Sequence, residues 1–229
     1  MKRVLLLNPP ARRKVIRDYY CSKSTKSNYL FQPIDLVMQS GVLAPHCELH
    51  AIDAVAQRLS SADCMSEIER IKPELVLGLW GAVSDSEDRE FYRRLAERME
   101  APIFISGEVA LDNPAQWLRE HDYIQGALLR FVSTGLLEYL ATGAPGPDLA
   151  VNEGGQIRGG LDPAPAREFS LTYEQAKERW PNMTPMSRAL ATRCRAGSRP
   201  RTRQLPAVGW MMPVSILMVV DLPAPLGPM

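Results

Sequence analysis

Lys2 and Arg3 lead into Val4, Leu5, Leu6 and Leu7, and Asn8, Pro9 and Pro10 follow at once. Consecutive apolar residues between cations and a turn signal form a short strand covered on both faces, the environment of a parallel sheet. Neither proline can donate to a ladder, and Pro10 holds Pro9 in extended geometry, so the chain must leave the sheet here. In an open α/β sheet, ligands bind outside the carboxyl ends of the strands. The NPP exit therefore puts a rigid, non-helical loop at the edge where a ligand would lie.

Downstream, strand and helix patterns alternate. Residues 34–43 carry Ile34, Leu36, Val37 and Leu43 behind Pro33 and predict a helix. CELHAID (47–53) predicts the second strand, and residues 62–71, capped by Ser60 or Ser61, the next helix. ELVLGLW (74–80) predicts a third strand, and residues 86–99 a charged helix with Phe91, Leu95 and Met99 inward. Residues 102–105 form a fourth strand, 114–120 a short helix, 123–131 hold a fifth strand, and 133–140 a last helix that Gly143 ends. Such β-then-α repetition predicts a doubly wound, flavodoxin-like (Rossmann-like) α/β domain over residues 1–143, with a five-stranded parallel sheet in the order 2-1-3-4-5. Residues 144–186 read as a linker with a small hairpin turning at Gly154-Gly155, and 187–229 as an irregular tail.

The net charge of +1 gives no electrostatic pull towards nucleic acid or acidic membranes. The first apolar run is too short for a signal peptide, and no stretch reaches the roughly 18 apolar residues of a membrane span. Cys21, Cys47, Cys64 and Cys194 form no CxxC pair, which fits reduced thiols and a cytoplasmic location. Cys21 lies near Arg17 and Lys23 but has no histidine close in sequence, so no catalytic residue is assigned.

VLLLNPP, the long loop RDYYCSKSTKSNYLFQPIDLVMQSGVL, HAIDA, KPELVLGLWGAVS and IFISGE occur here in a characteristic order. In that order they resemble the N-terminal cobalamin-binding domain of cobalamin-dependent radical S-adenosylmethionine enzymes. The resemblance spans residues 2–169 and includes REFSLTYEQAKERWPNM, which is similar to the linker into the radical domain. It implies a corrinoid at the strand-end edge, walled by Asn8, Pro9 and Pro10, by Trp80, Gly81, Ala82 and Val83, and by Ser106, Gly107 and Glu108. Tyr19 and Tyr20 would fold over the ring. A corrin is a broad, largely apolar plate fringed with amides, and small residues at strand exits let the backbone approach it. The glycines have a second reading, in which they end strands only to permit turns.

Classical cobalamin domains carry D-x-H-x-x-G after the first strand, whereas this chain has NPPARRK, so no residue is assigned to cobalt. His46, His50 and His121 are read as surface or capping residues. The family's Gly-Glu pair after the fifth strand is replaced by QGALLRF.

Past Met186 the sequence turns arginine-rich and then apolar without periodicity. There the resemblance implies a C-x-x-x-C-x-x-C motif for a 4Fe–4S cluster and S-adenosylmethionine, and only Cys194 is present. One thiolate cannot hold that cluster. The reading is a truncated family member, inactive alone, with an out-of-frame tail and a radical domain as its missing partner. Two alternatives stand beside it. One is a flavodoxin-like domain that acts as a cofactor-free partner module or as a nucleotide binder, the latter weakened because no GxGxxG or P-loop appears. The other makes residues 188–203 a basic arm for nucleic acid, although they lack interleaved aromatics.

Overall fold

A computed structural model describes residues 1–18, 21–24 and 32–160. The expectations for Tyr19 and Tyr20, for the linker beyond residue 160, and for the tail with Cys194 lie outside the described residues.

β1 (Lys2–Asn8) sits at the centre of the sheet, with β4 (Cys47–Asp53) on one side and β5 (Leu75–Leu79) on the other, both parallel to it. Its alternate side chains serve two cores, which is why the apolar run is unbroken. Val4 and Leu6 pack on one face beneath α1 (Ile34–Leu43) and α5 (Gly135–Thr142). Leu5 and Leu7 pack on the other beneath α2 (Ser61–Ile71), α3 (Asp85–Arg98) and α4 (Pro114–Glu120). Helices thus cover both faces, as the alternating pattern predicts.

β6 (Ile103–Ser106) and β7 (Gly126–Leu128) continue the parallel ladder, giving the order β4-β1-β5-β6-β7. The sheet does not stop at five strands, however. β8 (Leu149–Glu153) and β9 (Gln156–Arg158) form the predicted Gly-Gly hairpin, but β8 pairs antiparallel with β7 and extends the sheet to seven. The physical reason is that three-residue β7 would otherwise be an open edge. Leu149, Ala150 and Val151 are buried against it, and Asn152 Nδ2 donates to the Leu118 carbonyl at 3.2 Å. Gly154 and Gly155 make the turn with φ of 62° and 91°, which glycine adopts without strain.

The long loop after β1 holds a second departure from expectation. β2 (Val15–Asp18) and β3 (Cys21–Ser24) pair antiparallel as a separate two-stranded sheet. Among the described residues, no helix is long and apolar enough to cross a membrane.

Candidate functional site

The parallel strands deliver their carboxyl ends to one edge, and the exits of β1, β5 and β6 are adjacent there. At the β1 exit, Asn8 is buried and both ends of its amide are engaged. Its Nδ2 donates to Asp53 Oδ1 at 2.9 Å, and its Oδ1 accepts from Arg17 Nη1 at 2.9 Å. Burial raises the Asp53 pKa above the usual carboxylate value, and the hydrogen bonds from Ala56 and Asn8 work against that.

Arg17 comes from β2, and its guanidinium reaches across the crevice between β1 and β5. Nη1 also donates to the Pro9 carbonyl at 3.0 Å, Nη2 to Asp88 Oδ1 at 2.6 Å, and Nε to Asp88 Oδ2 at 2.9 Å and Ser84 Oγ at 3.0 Å. Neither the Arg17 nor the Asp88 side chain is exposed at all. Asp88 is held further by the Ser84 hydroxyl at 2.7 Å and the Gly81 amide at 3.1 Å. Burial pushes the Asp88 pKa up, while Arg17, Ser84 and Gly81 all stabilise the carboxylate. The paired, near-parallel donation from a guanidinium is the geometry of an ionised acid.

Sequence reasoning missed this network. One signal was available: Asp88 lies on the same helix stripe as Phe91, Tyr92 and Leu95, so a charged residue stands on a buried face. A buried acid implies a buried cation.

At the β5 exit, Trp80 turns inward. Its indole is fully buried, stacks on Tyr92 at 5.4 Å, meets Trp117 and His121 edge-on, and donates to Asp85 Oδ1 at 2.9 Å. What Trp80 presents to the edge is therefore backbone. Gly81 is covered too, since a Cβ there would stand 2.8 Å from Ser22 Oγ and 3.0 Å from Arg17 Cγ. Ala82 and Val83, by contrast, lie open. Val83 is 48% exposed and, beside Met1, is one of two exposed large hydrophobics among the described residues.

At the β6 exit, Gly107 has φ of 146° and lies against the Trp80 carbonyl, so the turn itself requires glycine. Glu108 Oε1 accepts from the Ala82 amide at 3.3 Å and joins the two exits. Ser106 is 2% exposed, and its hydroxyl has no hydrogen-bond partner among the described residues. The structure thus brings Ala82, Val83, Ser106, Gly107 and Glu108 into one shelf. Asn8, Pro9 and Pro10 sit beside it beneath the β2–β3 hairpin.

None of the histidines lies on this shelf. His46 is exposed, His50 pairs with Glu48 Oε1 at 3.0 Å, and His121 caps α4 with Nδ1 2.8 Å from the Trp117 carbonyl oxygen. Among the described residues, no group of three or more His, Cys, Asp or Glu side chains is placed to hold a metal ion.

No protein-family model matches the chain. The same fold appears in a radical S-adenosylmethionine methyltransferase, TsrM, from Kitasatospora setae, solved with cobalamin and a 4Fe–4S cluster bound. That match covers 76% of this chain and 33% of TsrM, with a TM-score of 0.50 and 17% identity. It appears also in OxsB, a cobalamin-dependent S-adenosylmethionine radical enzyme solved with aqua-cobalamin and S-adenosylmethionine. There the match covers 74% of this chain and 23% of OxsB, with a TM-score of 0.56 and 10% identity. At these identities the likeness is one of fold.

In sequence, 113 residues are 36% identical to a DNA ligase of Xanthomonas campestris pv. campestris, covering 48% of this chain and 12% of the ligase. A ligase of Xanthomonas axonopodis pv. citri is 38% identical over 96 residues, covering 39% of this chain and 11% of the ligase. The chain thus spans about a tenth of the ligases it matches and a quarter to a third of the radical enzymes.

Proposed function

We propose that this chain is a corrinoid-binding module like the cobalamin-binding portion of cobalamin-dependent radical S-adenosylmethionine enzymes, and that it catalyses nothing alone. The observation that carries the reading is the position of Val83. A large exposed apolar side chain stands at the carboxyl edge of a doubly wound sheet, where ligands of this fold class bind. The fold likeness to two cobalamin-bound enzymes supports it.

The shelf residues suit the group. Ala82 and Val83 offer an apolar contact to the ring and Glu108 offers an acceptor, while Ser106, at 2% exposure, backs the shelf from beneath. Gly107 lets the shelf turn tightly, while Asn8, Pro9, Pro10, Trp80 and Gly81, buried behind it with Arg17, support the shelf from within rather than face the ring. Tyr19 and Tyr20 would close over the ring. Bound cobalamin supplies a cobalt centre able to carry an alkyl group. With Cys194 the sole cysteine beyond Cys64, the cluster that would cleave S-adenosylmethionine has no ligand set here. A radical domain is therefore the expected partner, and residues 187–229 are expected to add nothing to the stability of the α/β domain.

Calorimetric titration with hydroxocobalamin tests the reading, with the absorption spectrum recorded at each step. Saturable one-site binding with a shifted spectrum is expected. No heat and an unchanged spectrum would leave the second reading, a cofactor-free partner module. Because of the stretch shared with DNA ligases, a mobility-shift assay on nicked duplex DNA belongs in the same experiment, and no shift is expected.

A further inference from the structure

In a sheet of order β4-β1-β5-β6-β7, successive connections run outward in opposite directions from β1 and β5. The carboxyl ends of those two strands therefore border the crevice in which open α/β sheets receive ligands. Here that crevice already holds a cation from the same chain. The Arg17 guanidinium takes acceptors from both banks: Asn8 Oδ1 and the Pro9 carbonyl from the β1 exit, Ser84 Oγ and the Asp88 carboxylate from the β5 side.

We propose that this crevice is a guanidinium-recognition site occupied by Arg17, and that the occupied site ties the β2–β3 hairpin across the sheet edge as a strap that opens as a unit.

Two further observations separate a strap from an ordinary core residue. First, among the described residues β2 and β3 pair only with each other and contribute no rung to the seven-stranded sheet. A two-stranded hairpin is marginal by itself, so its order depends on what anchors it. Second, the crevice is shaped to the hairpin. The missing Cβ of Gly81 is the space that Ser22 Oγ and Arg17 Cγ occupy, and the Val83 amide donates to Ser22 Oγ at 3.3 Å. The recognition elements are those a free guanidinium would need: a carboxylate in paired contact, a backbone carbonyl and two neutral acceptors in a water-excluded place. The inference concerns Arg17 and its acceptors and holds whatever ligand the neighbouring shelf takes.

Amide hydrogen exchange on the full chain tests it. In the wild type, the β2 and β3 amides are expected to exchange through an opening that leaves β1, β5 and β6 protected. Exchange of hairpin and sheet only together, by global unfolding, would overturn the strap. In Arg17→Ala, hairpin protection should fall by about tenfold or more while the sheet keeps its protection. Methylguanidinium at millimolar concentration should restore it, and methylammonium should not. A folded variant with unchanged hairpin protection would overturn the proposal, as would methylguanidinium failing to rescue or methylammonium rescuing equally. If Arg17→Ala does not fold, the wild-type exchange pattern still decides.

Discussion

Tyr92 lies directly over Gly78: the phenol hydroxyl from α3 donates to the Leu79 carbonyl at 2.8 Å and occupies the space a Cβ on Gly78 would need. The glycine inside β5 is thus there to admit an aromatic ring. Gly78→Ala is expected to cost about 2 kcal/mol through overpacking. Tyr92→Phe removes the nearest atom, so the double variant should be less destabilised than the sum of the two single ones. Urea midpoints of the four proteins measure this, and strict additivity would contradict it.

Gly107 and Val83 should behave in opposite ways although both belong to the shelf. Gly107→Ala forces a Cβ towards the Trp80 carbonyl at a positive φ and should destabilise the domain by about 1–3 kcal/mol. Lost binding there would report a damaged fold. Val83→Asp, on an exposed side chain, should leave stability within about 0.5 kcal/mol. It should weaken hydroxocobalamin binding by roughly tenfold, about 1.4 kcal/mol. Unchanged affinity would remove Val83 from the site.

Cys64 on α2 is fully buried, and that burial, with the charge of Glu67 adding to it, pushes its thiol up to about 12 from the ordinary 9.0. Between those values the unfolded chain gives up its thiol proton and the folded chain keeps it, so stability falls as pH rises through the window. The slope from this group approaches about 1.4 kcal/mol per pH unit. Tyr123, raised to about 12, adds in the same direction at still higher pH. Denaturation midpoints from pH 8 upward should therefore decline less steeply in Cys64→Ala than in the wild type. Equal slopes would show that Cys64 ionises normally.

The Ser60 hydroxyl accepts from the Asp63 amide at 3.1 Å and donates to Asp63 Oδ2 at 2.6 Å, closing the first turn of α2. Ser60→Ala should cost about 1 kcal/mol, and Ser60→Asn considerably less. Thermal unfolding of both variants checks the order.

Legibility in the sequence followed the range of the interactions. The unbroken run before Asn8, the helix Ile34–Leu43 behind Pro33 and the Gly154-Gly155 turn all carry their signals within a few residues, and each is found where the pattern puts it. That the β8–β9 hairpin would join the sheet was not legible, because nothing local to Leu149–Glu153 names β7 as its neighbour. β2 and β3 are four residues each, VIRD and CSKS, without alternation, and the contact that seats them joins residues 71 positions apart. Trp80 shows the same limit. Its place at a strand exit suggested a wall of the pocket, and the ring packed inward because Tyr92, Trp117 and His121 converge on it from two helices.

The short antiparallel detour through β8 has a consequence for whatever the chain carries next. β8 runs back from the carboxyl edge and β9 reverses again, so the polypeptide at Gly159 and Gly160 is heading the way β7 heads. A Cβ at Gly160 would touch Leu129, just past the end of β7, and the Gly160 amide donates to the Gly146 carbonyl at 3.2 Å. A segment attached after Gly160 is therefore tethered on the side of the sheet that bears Val83 and Ser106. Its meeting with a molecule on that shelf is intramolecular, governed by a local effective concentration that the tether length sets rather than by how much of either is in solution.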